Sequence, residues 1–278
     1  MKSGQNRKKK MQMELWKGAS LVGSGAFAQV YRVYDGSSDG FVACKITPKS
    51  ENARWEAEIL SKLQHPLFPR YIDSWEQSGS FFLFMEYVTG NTLRRIVTAR
   101  GGLSQRQAVF IARELASGLQ YLHDRPNPVI FRDLTPDNVL IRADGRIKLV
   151  DMGCACYLQK GAKGLAGSRG YSAPEQFITN AEIGIESDVY ALGKLMYYML
   201  TGEEQETILW NTKGFREKHC SRKLSRKMER LIRRAVEQDQ KKRIPDMQVM
   251  LQMLSQFTER KSDFFYYERN VNMVKGNV

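Results

Sequence analysis

The sequence has 278 residues, few cysteines and no long apolar run. Cys44, Cys154, Cys156 and Cys220 have neither disulfide nor zinc spacing, which indicates a reduced, cytoplasmic setting. Because no run of about 18 apolar residues occurs, we expect no membrane span. The first residues carry charge but no apolar segment, so we expect no secretory signal.

Hydrophobic residues make up 42% of the sequence and aromatic residues 10%, which predicts a globular chain rather than a disordered one. The formal net charge of +13 permits an anionic partner. Cations are concentrated in the first ten residues and between Lys213 and Arg234. We interpret both basic stretches first as solvated surface. We expect no specific nucleic-acid partner, because aromatic residues do not recur among these cations.

The first third of the sequence has β-strand character. Leu21 to Lys45 predicts three strands joined by a glycine-rich turn and a polar turn, and Ser80 to Tyr87 predicts a buried strand. Between them, Ala53 to Leu63 predicts one helix, which ends before His65-Pro66.

Beyond Gly90 the sequence is mostly helical. Ser104 and Gln107 predict a capping box at the start of an amphipathic helix, and Ser187 to Leu200 predicts a buried helix. Asp144-Gly145 predicts a hairpin turn. Further helices are expected near 224–236 and 246–257. Together these elements predict an α+β, two-lobed architecture.

Two features of the first third are suited to binding phosphate. Gly23 and Gly25 stand in a turn between predicted strands, where glycine allows backbone amides to approach an anion closely. Lys45 ends an apolar strand and needs an anionic partner if it is buried, and Glu56 on the next helix can supply it. Either feature alone is equally compatible with an ordinary turn and a surface lysine.

The segment from Val129 to Leu140 carries the strongest chemical signal. Asp133 precedes the carboxamide of Asn138, which leads into the predicted hairpin, and Asp151 follows the second strand of that hairpin. Asn138 and Asp151 are therefore expected near the same end of the paired strands, where both can bind Mg²⁺ through oxygen. Asp133 is left to orient a substrate hydroxyl and to accept its proton.

In this order, the motifs resemble those of the eukaryotic-type serine/threonine protein kinases, and the resemblance extends from about Lys17 to Phe257. It implies the two-lobed protein kinase fold, ATP and Mg²⁺ as cofactors and a protein substrate. FRDLTPDN and GYSAPEQF resemble Gram-positive bacterial members most. The charge pattern predicts a flexible basic arm at 1–13, and the resemblance implies a kinase domain at 14–258 followed by a C-terminal tail at 259–278. Within that domain the N-lobe is expected at about 14–88 and the C-lobe at about 91–258.

The resemblance also assigns roles to individual residues. Asp133 is similar to the catalytic base, and Lys45 with Glu56 to the pair that holds the α- and β-phosphates. Asn138 and Asp151 are similar to the metal ligands. The expected nucleotide contacts are Gly23 and Gly25 at the phosphates, Val30, Ala43 and Leu140 around adenine, and Glu86 and Val88 at the hinge after Met85. Glu175 is expected to pair with Arg243, and Asp188 to steady the loop that carries Asp133.

Four positions depart from the family pattern. Ala28 replaces a glycine, Phe131 a histidine and Met152 a phenylalanine, and these changes alter packing more than chemistry. Thr135 replaces the lysine that usually neutralises the transferred phosphate, so we expect slow transfer or a cation from Arg169 or Lys163. The main interpretation is an active serine/threonine kinase. The alternative is a pseudokinase that acts as a nucleotide-binding scaffold or interaction module.

The segment from Asp151 to Glu175 predicts how activity is controlled. In the family, Arg132 usually receives a phosphate from this segment. Here Tyr157 carries the only hydroxyl before the Gly167-Ser168 turn, and Ser168 is expected to bond Asp133. The sequence therefore predicts activity without phosphorylation of this segment.

Overall fold

In a computed structural model, the described residues are 18–25, 28–36, 40–160, 166–204 and 224–257. They belong to two compact units that divide between Val88 and Thr89, and each unit is described by itself. The basic arm at 1–13, the tail at 259–278 and the first half of the basic stretch from Lys213 lie outside the described residues.

The N-terminal unit contains one antiparallel sheet of five strands, in the order β1-β2-β3-β5-β4. The sequence did not indicate β4, because its alternation of apolar and polar residues is weak. Trp75 nevertheless anchors β4, since its ring stacks on Phe84 with centroids 4.4 Å apart. The strands are β1 (Ser20–Ser24), β2 (Gln29–Asp35), β3 (Gly40–Pro48), β4 (Tyr71–Gln77) and β5 (Ser80–Glu86).

The two faces of this sheet have different roles. Alternation along paired strands puts Val33, Cys44 and Phe84 on one face, where they form a buried cluster. Val30, Ala43 and Lys45 lie on the opposite face. The expected adenine and phosphate contacts of this unit therefore share one surface.

One helix, α1 (Glu51–Ser61), packs against β4 and β5. It begins earlier than the apolar pattern predicted, because the Ser50 side chain accepts a hydrogen bond from the Ala53 amide at 3.2 Å. Its buried positions include Glu56 among apolar residues. That burial directs a carboxylate towards the sheet.

Helix α4 forms the centre of the C-terminal unit. Every residue from Ser187 to Leu200 is buried, as the sequence predicted, and α4 packs against α3 and α5 while α3 also packs against α6. The predicted capping box of Ser104 and Gln107 is present at the start of α3. None of the described helices is long and apolar enough to cross a membrane. The helices of this unit are α2 (Leu93–Arg100), α3 (Gln105–His123), α4 (Glu186–Thr201), α5 (Arg226–Ala235) and α6 (Met247–Ser255).

Short strands position the loops of the C-terminal unit. The predicted hairpin is formed by β8 (Val139–Ile141) and β9 (Ile147–Leu149), and β6 (Asn91–Thr92) extends its sheet. Two further strands, β7 (Val129–Ile130) and β10 (Cys156–Tyr157), pair with each other. In sequence, β7 precedes the hairpin and β10 follows it. Such two- and three-residue strands are too short for a hydrophobic pattern to reveal.

Candidate active site

Lys45 and Glu56 form a buried ion pair in the N-terminal unit. The Lys45 Nζ lies 2.7 and 2.8 Å from the two Glu56 carboxylate oxygens, and each residue is 4% exposed. The pairing predicted from the sequence is thus confirmed. A buried ammonium that already has one anionic partner in position is well placed to bind a second anion without further desolvation.

The glycine-rich turn leaves room beside its backbone. The Gly25 amide donates to the Ala28 carbonyl at 2.8 Å, which closes the turn. Among the described residues, a Cβ atom at Gly23 or Gly25 would meet ordinary contacts, at 3.8 and 3.9 Å. Because the described neighbours do not themselves require glycine at these positions, close approach of a ligand is a suitable reason for it. Ala26 and Phe27 lie outside the described residues.

Most of the expected adenine contacts lie in or at the end of β-strands. Val30 and Ala43 belong to β2 and β3. The last residue of β5, Glu86, is fixed because its amide donates to the Arg70 carbonyl at 2.8 Å and its carboxylate accepts from the Arg70 amide at 3.1 Å. Val88 ends the N-terminal unit, and Leu140 lies in β8 of the other unit. Their contact with a nucleotide stays a prediction.

Side-chain hydrogen bonds from Ser168 and Asn138 fix Asp133, which stands in a loop of residues 131–138 that we call the Asp133 loop. Ser168 Oγ donates to Asp133 Oδ1 at 2.7 Å, and Asn138 Nδ2 donates to Asp133 Oδ2 at 3.1 Å and to its carbonyl at 2.9 Å. Burial raises the pKa of Asp133, and the nearby charge of Asp151 acts in the same direction. The hydrogen bond from Ser168 opposes this rise and fixes the carboxylate.

Asn138 and Asp151 come together as the sequence predicted. The Val150 amide donates to the Asn138 carbonyl at 2.8 Å, which joins the chain segments on which the two side chains stand. Both amide protons of Asn138 are directed at Asp133, so its carboxamide oxygen is the atom suited to a cation. Asp151 has a φ of +67° and accepts from the Gly153 amide at 3.0 Å. These oxygen donors match the hard ligands that Mg²⁺ takes together with phosphate oxygens.

Asp188, on α4, fixes the start of the Asp133 loop, as predicted. It is 0% exposed and accepts from the Phe131 amide at 2.9 Å and the Arg132 amide at 2.8 Å. His123, to which the sequence assigned no role, also contacts Asp188, with Nε2 2.8 Å from Oδ2. His123 is the last residue of α3 and lies far from Asp188 in sequence, so only the folded structure shows that the two side chains are in contact.

The predicted pair of Glu175 and Arg243 is present. Arg243 Nη1 and Nη2 lie 2.7 and 3.1 Å from the two carboxylate oxygens, and Ser187 Oγ donates to Glu175 at 2.8 Å. Burial alone would raise the pKa of Glu175, but the hydrogen bonds and charge of Arg243 outweigh it and lower that pKa. A bidentate pair of this kind is rigid as well as charged.

The Thr135 side chain brings no cation to this loop. Thr135 is 5% exposed and its carbonyl accepts from the Asn138 amide at 3.2 Å. Arg169 is exposed and follows Ser168 directly, whereas Lys163 lies outside the described residues. Which of these cations, if either, acts in place of the missing lysine stays a prediction.

Arg132, which in the family usually binds a phosphate, is buried in this structure. Arg132 is 8% exposed and its Nη1 lies 3.6 Å from the Cys156 sulfur. Tyr157, which carries the only early hydroxyl of the segment, is also 8% exposed. Both observations are compatible with a segment that takes its position without modification.

Comparison with known proteins identifies the family. A family model described as Protein kinase domain matches residues 16–255 of the chain. The chain is 32% identical over 191 residues to the cAMP-dependent protein kinase catalytic subunit PRKX of Homo sapiens, a match that covers 66% of this chain and 52% of that protein.

Bacterial and eukaryotic relatives both occur. The chain is 34% identical over 197 residues to the serine/threonine-protein kinase PrkC of Bacillus subtilis (strain 168), which covers 66% of this chain but 30% of PrkC. It is 31% identical over 189 residues to the putative serine/threonine-protein kinase PRKY of Homo sapiens, covering 65% of this chain and 67% of that protein. The matches therefore span about half of PRKX and about a third of PrkC.

Proposed function

Because the chain belongs to the protein kinase family, we propose that it transfers the γ-phosphoryl group of ATP to a serine or threonine hydroxyl of a protein substrate. The observation that carries this proposal is the Asp133 carboxylate, held by Ser168 Oγ at 2.7 Å and Asn138 Nδ2 at 3.1 Å. A carboxylate fixed in this way is suited to orient a hydroxyl and to take its proton.

The other site residues support the same reaction. In the proposal, Lys45 holds the α- and β-phosphates, and its pair with Glu56 keeps the ammonium in place. Gly23 and Gly25 cover the phosphates, and Val30, Ala43, Leu140, Glu86 and Val88 hold the adenine. Asn138 and Asp151 hold Mg²⁺ through oxygen. When bound, Mg²⁺ would neutralise charge on the phosphates.

The choice of serine or threonine as acceptor rests on the relatives. PrkC and PRKY are named as serine/threonine kinases, and the chain is about one third identical to each over the matched residues. The loop around Asp133 lacks the lysine that usually accompanies such acceptors, since Thr135 stands there. Phosphoamino-acid analysis of a labelled product separates serine and threonine from tyrosine.

The decisive experiment compares wild type, Asp133→Asn and Asp144→Asn with labelled ATP, Mg²⁺ and a general acceptor protein. We expect transfer by wild type and a loss of about 10³-fold or more in Asp133→Asn, because the proton acceptor is removed. Asp144→Asn carries the same change in a hairpin turn, where Asp144 is partly buried and pairs with Arg146 at 2.7 Å. Asparagine before Gly145 suits the same turn, so this variant should keep wild-type activity. ATP binding without transfer by wild type would favour the pseudokinase alternative instead.

We also propose that transfer needs no phosphate on the segment from Asp151 to Glu175. The supporting observations are the buried Arg132 and the buried Tyr157. Intact-mass and peptide analysis of freshly purified active protein should find this segment unmodified. Phosphatase treatment should leave the rate unchanged, and a rate that falls with loss of a phosphate from this segment would refute the proposal.

A further inference from the structure

Gln176 is a fully buried amide with both ends engaged. It is 0% exposed and follows Glu175 in a short 3-10 helix, Pro174–Phe177. Its Nε2 donates to the carbonyls of Arg132 at 2.9 Å and Ala166 at 2.7 Å. Its Oε1 accepts from the Ala173 amide at 3.2 Å. One side chain thus joins three separate chain segments.

The carbonyl that Gln176 holds belongs to a strained residue. Arg132 has a φ of +71°, a left-handed conformation that costs free energy for any residue with a Cβ atom. Its amide is held by Asp188 at 2.8 Å, and its carbonyl by Gln176 at 2.9 Å and by Ser172 Oγ at 3.3 Å. Both peptide groups of Arg132 are therefore fixed. The second of them leads directly into Asp133.

The other carbonyl that Gln176 holds lies two residues before Ser168. The bond to Ala166 therefore fixes the approach to the residue whose hydroxyl binds Asp133. Gly167, between them, has a φ of +126°, and a Cβ atom there would collide with Ser172 Oγ and Gln176 Nε2. The packing leaves no room for an alternative side chain at Gly167. Gln176 consequently acts on Asp133 from two directions.

We propose that Gln176 is a positioning residue for phosphoryl transfer, which locks the Asp133 loop and the Ser168 turn together through neutral hydrogen bonds. The inference rests on the proposed kinase function. A neutral connection of this kind is in keeping with the proposal above that transfer needs no phosphate on this segment. A buried carbonyl that loses its hydrogen-bond donor costs free energy, so the loss of the Gln176 amide would not be readily compensated.

The test replaces Gln176 by methionine, which has nearly the same length and no hydrogen-bond donor. We expect kcat to fall about tenfold or more while KM for ATP changes by less than about twofold, because a misplaced Asp133 impairs chemistry rather than nucleotide binding. Amide hydrogen exchange followed by mass spectrometry should show faster exchange in peptides covering 131–138 and 166–172. A merely structural role would not produce this split of kcat from KM.

Two further variants provide controls. Gln107→Met makes the same change at an exposed capping box on α3, and should lower the melting temperature slightly with kcat unchanged. Ser172→Ala removes only the longer bond to the Arg132 carbonyl, and should lower kcat less than Gln176→Met does. If Gln176→Met does not fold, Gln176→Asn serves, since its amide is too short to reach both carbonyls and should show the same split.

The outcomes separate this inference from the proposed function. If wild type transfers phosphate and the Gln176 variants keep wild-type kcat and exchange rates, the inference is wrong and the kinase function stands. If wild type transfers none, the exchange rates of the Asp133 loop still decide whether Gln176 holds it. Exchange unchanged in 131–138 would then refute the positioning role by itself.

Discussion

At the scale of single residues, the Asp133 loop combines a fixed carboxylate, which is the proposed base, with the absence of the lysine that the family usually has. Asp133 is held by Ser168 and Asn138, so its direction does not depend on a neighbouring lysine. Thr135 occupies the place of that lysine and is 5% exposed. The loop can therefore orient a hydroxyl but contributes no charge to the phosphate. Electrostatic stabilisation is usually a large part of phosphoryl-transfer catalysis, so this absence should limit the rate.

We expect Thr135→Lys to raise kcat on the order of tenfold, because it returns a positive charge near the transferred phosphate. Binding of ATP should change little, since the proposed phosphate contacts of Lys45 are untouched. Thr98→Lys, an exposed site on α2, controls for added charge and should leave kcat unaltered. An unchanged rate in a folded Thr135→Lys protein would mean that the missing charge is not limiting, or that another cation already replaces it.

At the scale of the element, α4 is a buried helix whose buried residues include an aspartate and a lysine. It is buried along nearly its whole length, yet it contains Asp188 and Lys194. Asp188 is satisfied by two backbone amides and His123. Lys194 is 3% exposed, and burial lowers the pKa of its ammonium group to about 8 from the ordinary value of 10.5. The helix that fixes the Asp133 loop thus also holds a lysine whose charged form is disfavoured.

Lys194→Met should stabilise the protein at pH 7 by up to about 3 kcal/mol, at about 1.4 kcal/mol per unit of pKa shift. The folded chain loses this proton near pH 8 and the unfolded chain near 10.5, so wild-type stability should rise between those values as the penalty disappears. Below pH 8 the penalty is fully present. Urea unfolding from pH 7 to 10 should therefore show the variant's advantage shrinking as pH rises.

Lys241→Met is the matched control, because Lys241 is exposed and the same change there should leave stability nearly constant over this range. An advantage of Lys194→Met that does not depend on pH would indicate better packing instead of a removed charge. A destabilised Lys194→Met would show that the lysine makes contacts worth more than the cost of burying its charge.

At the scale of the whole molecule, part of the excess of basic residues lies on the solvent-exposed face of a helix. The described part of the basic stretch is α5, where Met228 and Ile232 are buried while Arg226, Arg230 and Arg234 are exposed. This is the amphipathic arrangement of a solvated helix face, in agreement with the first interpretation of the sequence. An anionic partner for this face stays a prediction.

Binding of Mg²⁺ and ATP should stabilise the folded protein, because a ligand that binds only the folded state shifts the unfolding equilibrium. At a ligand concentration of 100 times Kd the gain is about 2.7 kcal/mol, which for a chain of this size raises the melting temperature by roughly 5–10 °C. Asp151→Asn should abolish the part of this shift that depends on Mg²⁺. Asp144→Asn should retain it, and a full Mg²⁺-dependent shift in Asp151→Asn would exclude Asp151 as a metal ligand.

The sequence by itself determined the kinase fold, the α+β order and the residue pairs that chemistry demands. The pair of Lys45 and Glu56 was foreseeable because a buried charge requires an opposite partner, whereas the pair of Glu175 and Arg243 was expected from the family resemblance. The buried helix α4 was foreseeable because its apolar residues occur on all sides. Strand β4, with its weak alternation, was not foreseeable from the sequence.

Only the tertiary structure revealed the contacts of His123 and Gln176. Neither residue has a chemical signature, since histidine and glutamine are ordinary on helices and in turns. Their roles arise from carbonyl and carboxylate groups that distant segments bring to them, at Asp188 and Arg132. A sequence records which groups need a partner when they are charged, but neutral hydrogen bonds between remote backbone atoms depend on how the chain finally packs.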